Sequence, residues 1–307
     1  MSGQERPPPR KSSLTLERPP MISLKLAVRQ LAPPILWDAL IRIKHRADLP
    51  EWEYLPEGWA YAQHRPDNKA WNDPSILEVY RRKWPVFERM VAGVGPLGIA
   101  HESDLTTDSD LLSHNLVMTF GYVLGLAAQE LLGISMLDWG GGIGHYCLLA
   151  RALLPSVALE YHCKDMPLLV AAGMELLPEG HFYSDDTCLD RRYDLVMAST
   201  SLHYSLDWHT ALADLCGATG RYLYLASMPI VLHAPSFVFI QRPYTFGYRT
   251  EYLSWCLNRQ EILAAVESQG LRLVREFVYG LAPHITKAPE QNLYRGFLFA
   301  ASQRDTD

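Results

Sequence analysis

The residues best able to do chemistry cluster in Asp138-Trp139-Gly140-Gly141-Gly142-Ile143-Gly144-His145. Glycine has no Cβ, so it accepts positive φ and lets a ligand approach the backbone closely. A helix starting behind such a turn offers unpaired N–H groups to a polar ligand. Two glycine patterns compete here. The dinucleotide fingerprint Gly-x-Gly-x-x-Gly is met by Gly140 and Gly142 but breaks at His145, where its third glycine belongs. The pattern acid-x-Gly-x-Gly-x-Gly is met in full by Asp138, Gly140, Gly142 and Gly144. Further along stands Lys164-Asp165, whose acid can accept both hydroxyls of a ribose, and then a second acidic turn, Ser184-Asp185-Asp186. The segment Ser199-Thr200-Ser201-Leu202-His203-Tyr204-Ser205 carries His203, whose intrinsic pKa suits a general base. Tyr204 beside it can orient a substrate. No metal signature is expected: His162, Cys163 and Asp165 are too crowded for one site, because neighbouring strand residues face opposite sides.

These residues need a scaffold that brings them to one edge. From residue 135 the apolar pattern alternates strand and helix, as in a doubly wound α/β sheet. Strands are expected over 135–139, 157–163, 181–183, 194–198 and 222–226, with helices over 143–154, 167–176 and 208–215 between them. A helix over 259–270 and an antiparallel strand pair, 271–278 and 294–300, complete a seven-stranded, mostly parallel sheet with helices on both faces. In such sheets ligands sit at the carboxyl ends of strands, which is where Asp138, Asp165, Asp185 and His203 fall. The helical spacing of apolar residues also predicts helices over 74–91 and 111–132, the latter capped by Ser109 or Asp110 and carrying His114 and Asn115 in its first turns. Residues 47–132 therefore read as a helical and aromatic cap before a main domain over 133–303. Residues 51–75, with Trp52, Tyr54, Trp59, Tyr61 and Trp71, read as an irregular packed segment. Residues 228–258 read as a Pro- and aromatic-rich insertion on the substrate side.

The acid-led glycine motif closely resembles the first motif of class I S-adenosylmethionine (SAM) methyltransferases. The resemblance implies a Rossmann-like fold and SAM as cofactor. It suits the ligand's chemistry: the amino-acid end of SAM carries an ammonium that an acid answers, and SAM has no pyrophosphate for a third glycine to hug. It further implies that Asp185, after the third strand, meets the adenine amino group, and that the start of the helix carrying His114 and Asn115 faces the cofactor. The segment after the fourth strand would border both cofactor and acceptor, with His203 as candidate base. The order of features is also similar to one family of uncharacterised bacterial methyltransferases associated with polysaccharide gene clusters. The matching pieces are Trp52-Glu53-Tyr54 to Trp59, His114-Asn115, Leu137 to Gly144, Tyr193-Asp194-Leu195-Val196, Ser201 to Trp208, and Gln241-Arg242-Pro243. They run from about residue 50 to 303. The implied reaction is methylation, at oxygen, of a small-molecule or saccharide-like acceptor. The rival readings are an NAD-linked oxidoreductase and a non-catalytic methyltransferase-like scaffold.

Composition bounds the rest. The chain has 307 residues, 48% hydrophobic and 20% charged, which is enough for a substantial core. A net charge of −6 gives no reason to expect a nucleic-acid partner. Residues 1–46 run the other way, with nine Lys/Arg against three Asp/Glu. Residues 1–20 are Pro-rich and expected to be disordered. Residues 21–46 read as two short basic amphipathic helices, able to pack on their own domain or to meet a membrane surface or protein partner. A homodimer contact is an equal reading of 228–258. Five cysteines without a Cys-x-x-Cys pair point to a reducing cytoplasm, and no stretch has the ~18 apolar residues of a spanning helix.

Overall fold

The computed structural model describes residues 49–63, 70–98, 111–244 and 247–302. The tail 1–20, the basic helices 21–46, and Ser109 and Asp110 lie outside the described residues. No helix among those described is long and apolar enough to cross a membrane.

The chain from residue 50 is built on the expected alternation. Strand β1 (Trp52–Tyr54) and the short helix α1 (Ala60–Gln63) come first, then α2 (Pro74–Ala92) and α3 (Leu111–Ala127). There follow β2 (Gly133–Trp139), α4 (His145–Leu153), β3 (Ala158–Lys164), α5 (Pro167–Leu176), β4 (His181–Tyr183) and β5 (Tyr193–Ser199). A 3-10 turn (Leu202–Tyr204) leads to α6 (Trp208–Ala218) and the long β6 (Thr219–Val231). The chain ends through β7 (Phe237–Gln241), β8 (Tyr252–Asn258), α7 (Arg259–Ser268), β9 (Leu271–Leu281) and β10 (Leu293–Ala301).

The main sheet runs β4-β3-β2-β5-β6-β10-β9, with β10 antiparallel to both neighbours and the rest parallel. This is a Rossmann-like sheet, mostly parallel, with one antiparallel strand near its edge. Its strands are buried on both faces. Met136 belongs to a core that includes Trp84 of α2, Phe120 of α3, Leu149 of α4 and Leu169 of α5. Leu137, one residue on, belongs to the opposite core with Trp208 and Leu212 of α6 and Ile262 of α7. Side chains of successive strand residues point to opposite faces, so one run of apolar residues serves two helical layers. Proline starts α2 and α5, where its missing N–H costs nothing. Asp207 and Asn258 cap α6 and α7 through their side-chain oxygens.

Three expectations need correction. Helix α3 stops at Ala127 rather than 132, and Glu130 takes a left-handed φ of 65° to turn the chain into β2. Residues 51–75 are not irregular throughout, because they contain β1. The excursion 228–258 is not a simple insertion. It carries β7 and β8, which form a second antiparallel sheet with β1, ordered β1-β7-β8. This sheet joins the main one through Ile230 and Val231 at the end of β6, which pair with Leu257 and Asn258. The hinge between the sheets is a β-bulge. The register with β10 slips between Leu225↔Phe297 and Met228↔Arg295, and Ser227 within that slip has a φ of 52°. A bulge bends its strand and re-aims side chains, and here it lets β6 leave β5 and find β8. Pro229 falls in the stretch between those two partners.

Candidate active site

A cavity of about 650 Å³ opens at the carboxyl ends of β2, β3, β5 and β6. That size suits a small-molecule site. One half is walled by Trp139, Gly140, Gly141, Gly142, Lys164, Asp165, Met166, Leu169 and Ser184; the other by Trp52, Trp71, Tyr204, Gln241, Tyr248 and Tyr294. Lys83 and His145 of the helical layer also line it. Five non-glycine residues among those described have positive φ, and three of them, Ala70, Thr200 and Ser227, line this cavity. Such strained backbone costs ~1–3 kcal/mol each and gathers at functional sites.

The glycine loop is held from below and behind. Gly140 has a φ of 78°, and a Cβ on it would come within 2.2 Å of the Ser201 Cβ. Only glycine lets the segment after β5 close over the loop, where Ser201 Oγ donates to the Trp139 carbonyl at 2.6 Å. Gly144, φ 97°, caps α4, and a Cβ there would meet Leu177 at 2.6 Å; it does not line the cavity. The N–H groups of Gly140 and Gly141 both donate to the Lys164 carbonyl, at 2.7 and 3.4 Å. The N–H of Gly142 donates to Asp165 Oδ2 at 2.7 Å. Three loop N–H groups are thus turned into the protein and do not form the nest that a pyrophosphate needs. His145, where the dinucleotide pattern wants glycine, is instead buried among the rings of Tyr80, Trp84 and Phe87, at 5.6, 5.1 and 4.8 Å between centroids. It packs α2 onto α4.

Asp165 lines the cavity. Its two oxygens accept from Gly142 N and Met166 N, at 2.7 and 2.6 Å. Burial pushes its carboxyl above the usual range, against the pull of those two N–H groups. Each oxygen keeps a further lone pair, so the group can still accept a vicinal diol. Lys164, whose place beside the acid complicates the motif, is drawn aside: its Nζ lies 2.6 Å from Asp186 Oδ1 and 5.0 Å from the centre of the Trp139 ring.

Other expected site residues fall elsewhere. Asp138 is fully buried and does not line the cavity. It sits under the loop, where Tyr161 donates to its Oδ2 at 2.7 Å, and a Cβ on Gly141 would be 2.4 Å from that oxygen. Burial raises its carboxyl to about 7. Asp138 therefore supports the loop rather than facing a ligand's ammonium. Asp185 is exposed and caps the 3-10 turn that follows β4, accepting from the N–H and hydroxyl of Thr187; its neighbour Ser184 lines the cavity in its place. His203 is 1% exposed, lines no part of the cavity, and has a buried Nδ1 without a partner among the described residues. Burial alone lowers it to about 3. A group that resists protonation this strongly and cannot reach the cavity is not the base. Its neighbour Tyr204 does line the cavity, donating to Gln241 Oε1 at 3.2 Å. His114 and Asn115 bond to backbone carbonyls, of Leu97 and Tyr279, and do not line the cavity.

The sequence reading missed Lys83, Met166 and Leu169, and had Gln241 only as part of a turn, with no place at the site. A lysine on the buried side of an amphipathic helix is the one signal that was there: Lys83 follows Ile76, Val79 and Tyr80 on the inward face of α2 and is only 5% exposed. A second constellation also went unread. Glu160, His162 and His181 bring ligand-type atoms within 4.8 Å of one another. The Arg191 guanidinium already occupies that group, 2.7 Å from Glu160 Oε1 and 3.3 Å from His162 Nε2.

Neither a protein-family model nor a curated protein sequence matches this chain. Among solved structures, it is similar to magnesium protoporphyrin IX methyltransferase from Synechocystis PCC 6803 with bound SAH, at 17% identity and a TM-score of 0.44, covering 75% of this chain and 100% of that one. A mitomycin 7-O-methyltransferase is similar at 14% identity and a TM-score of 0.44, covering 90% of this chain and 71% of that one. The 1,6-didemethyltoxoflavin-N1-methyltransferase of Burkholderia thailandensis is similar at 13% identity and a TM-score of 0.42, covering 60% and 77%. These TM-scores lie below 0.5, so no function is carried over from them.

Proposed function

We propose that this chain is a SAM-dependent methyltransferase acting at oxygen on a small-molecule or saccharide-like acceptor. The observation that carries the reading is the loop end of the cavity. Asp165 faces the cavity with lone pairs to spare, while the N–H groups of Gly140, Gly141 and Gly142 are spent inside the protein. That arrangement suits a nucleoside without a pyrophosphate and disfavours a dinucleotide. Asp165 would take the ribose hydroxyls. Met166, Leu169 and Trp139 would form the apolar slot for the base, with Ser184 at its edge. Lys83, a buried lysine on the same cavity, suits a carboxylate at the amino-acid end. When bound, SAM supplies an electrophilic methyl group on a sulfonium. The protein's part is then to align an acceptor from the Tyr204 and Gln241 side and to exclude water, and alignment of this kind can lower a barrier by several kcal/mol, up to about 7–11. The five buried, unpaired cysteines support a reducing, cytoplasmic setting.

Titration calorimetry on the purified chain tests the reading. Binding of S-adenosylhomocysteine (SAH) with no detectable binding of NADH is expected, and Asp165→Ala should weaken SAH about tenfold or more, as loss of a charge-assisted pair does. Binding of NADH in preference to SAH would turn the assignment to the oxidoreductase.

A further inference from the structure

The half of the cavity away from the glycine loop has a polarity of its own. The second sheet sets Trp52 of β1, Gln241 of β7 and Tyr252 of β8 directly opposite one another, since Trp52 pairs with Gln241 and Gln241 with Tyr252. Residues opposite one another in adjacent strands share a face, so an amide stands in a row between two aromatic rings. Trp71 stacks on Tyr252 at 4.6 Å and 23°, and meets Tyr204 edge-on at 5.1 Å. Trp52 stacks on Phe239 at 5.0 Å. Each indole is thus held in place by a second ring, which makes a rigid, preorganised wall.

The polar groups of this wall are lopsided. Gln241 is 2% exposed; its Oε1 is taken by the Tyr204 hydroxyl, and its Nε2 is buried with no hydrogen-bond partner among the described residues. Trp71 Nε1 is likewise buried and without a partner among them. Both side chains line the cavity. A buried donor left unpaired is costly, so two such donors beside one cavity call for lone pairs from a ligand. A carbonyl or carboxylate oxygen brings lone pairs and no proton. A sugar hydroxyl also brings a proton that needs its own acceptor, and with the only carboxylate among the described lining residues, Asp165, at the loop end, it would be left to weaker hydroxyl acceptors such as those of Ser227 and Tyr294.

We infer that the acceptor is a flat, conjugated ring compound rather than a saccharide, bound with an already ionised oxygen as the atom to be methylated, so that no proton has to be placed, and with a carbonyl or carboxylate oxygen read by Gln241 and Trp71. This rests on the methyltransferase reading, because it assigns the loop end of the cavity to the cofactor. Gln241 and Trp71 are then the residues that set acceptor specificity.

Calorimetry on SAH-saturated full-length chain tests this, with salicylate, acetophenone and a quinolone as conjugated probes and methyl glucoside as the saccharide. At least one conjugated probe should bind about tenfold more tightly than the glucoside. Gln241→Leu, close in shape, and Trp71→Phe, which keeps an aromatic ring, both remove the N–H and should each weaken that probe about tenfold, with SAH affinity serving as the check that the fold is intact. Tighter binding of the glucoside, binding of none of the conjugated probes, or indifference of the bound probe to both substitutions overturns the inference while leaving the cofactor assignment standing. Failure of the wild-type chain to bind SAH overturns both.

Discussion

At the scale of the residue, two buried titratable groups have opposite signatures. The Asp138 carboxyl is raised to about 7 by burial, only partly offset by the Tyr161 hydroxyl. The folded chain keeps its proton over a range where the unfolded chain has lost it. Stability from this group is present below the ordinary value of 3.8 and is lost as pH rises through about 7. His203 is lowered to about 3 by burial. Its contribution is present above the ordinary value of 6.5 and is lost as pH falls towards about 3. Asp138→Asn keeps an oxygen for Tyr161 and removes the charge. Its Tm should exceed the wild type's at pH 8 by the equivalent of at most about 4 kcal/mol, the gap closing towards pH 4. His203→Leu should show the mirror image, gaining on the wild type only below about pH 6 and keeping SAH binding. Parallel Tm–pH curves for wild type and variants would refute both assignments. The sequence made both residues conspicuous but could not say which way they face. That depends on neighbours distant in the chain: Tyr161 from the next strand for Asp138, and the 3-10 turn that turns Leu202 and His203 inward while Tyr204 stays at the cavity. The place of Asp165 at the cavity was legible because it stands just past the end of β3, free of the ladder, whereas Asp138 lies within β2.

At the scale of the element, the main sheet was readable and the second sheet was not, for one physical reason. Strands β2, β3 and β5 alternate with helices, and the change of period from strand to helix marks each boundary. In β7, every residue of Phe237–Gln241 is buried, with Phe237 and Phe239 in one core and Val238 and Ile240 in another. Such a strand has no polar alternation to show, and the flanking prolines look like interruptions. Its partner β1 is only three residues long and lies nearly two hundred positions away in sequence. What fixes β1 there is Arg242, 5% exposed, whose Nη1 lies 2.8 Å from the Pro50 carbonyl and 3.2 Å from Glu53 Oε2. The Lys287 ammonium, followed by Arg242, holds the Glu53 carboxyl below its usual range, against the effect of burial. Arg242→Leu removes one partner of a largely buried pair and should cost about 3 kcal/mol or more. The loss should be local. Hydrogen exchange at Trp52–Tyr54 should quicken and Tm should fall, while SAH affinity is retained, since β1 borders only the far half of the cavity. Unchanged exchange in β1 would show that backbone pairing alone holds it.

At the scale of the whole molecule, the cavity belongs to no single element. Its loop end is made by the main sheet, its far end by the second sheet, and the bulge at Ser227 joins them. A ligand at the loop end touches the ends of β2 and β3 together with α5, and so binds the folded chain and not the unfolded one. Mass action then fixes the stabilisation: at a hundred times its dissociation constant, such a ligand adds about 2.7 kcal/mol. For a folded unit of this size, each kcal/mol moves Tm by about 2–4 °C. SAH at that excess should therefore raise Tm by about 5–10 °C, and NADH at the same concentration should not. Asp165→Ala should remove about half of the SAH-induced rise at a fixed SAH concentration, because a tenfold weaker ligand loses about 1.4 kcal/mol of the effect. Gln241→Leu should leave the rise intact, because Gln241 stands at the other end of the cavity. An SAH shift lost equally in both variants would mean that the two ends are one site, and the division of the cavity into a nucleoside end and an acceptor end would fall with it.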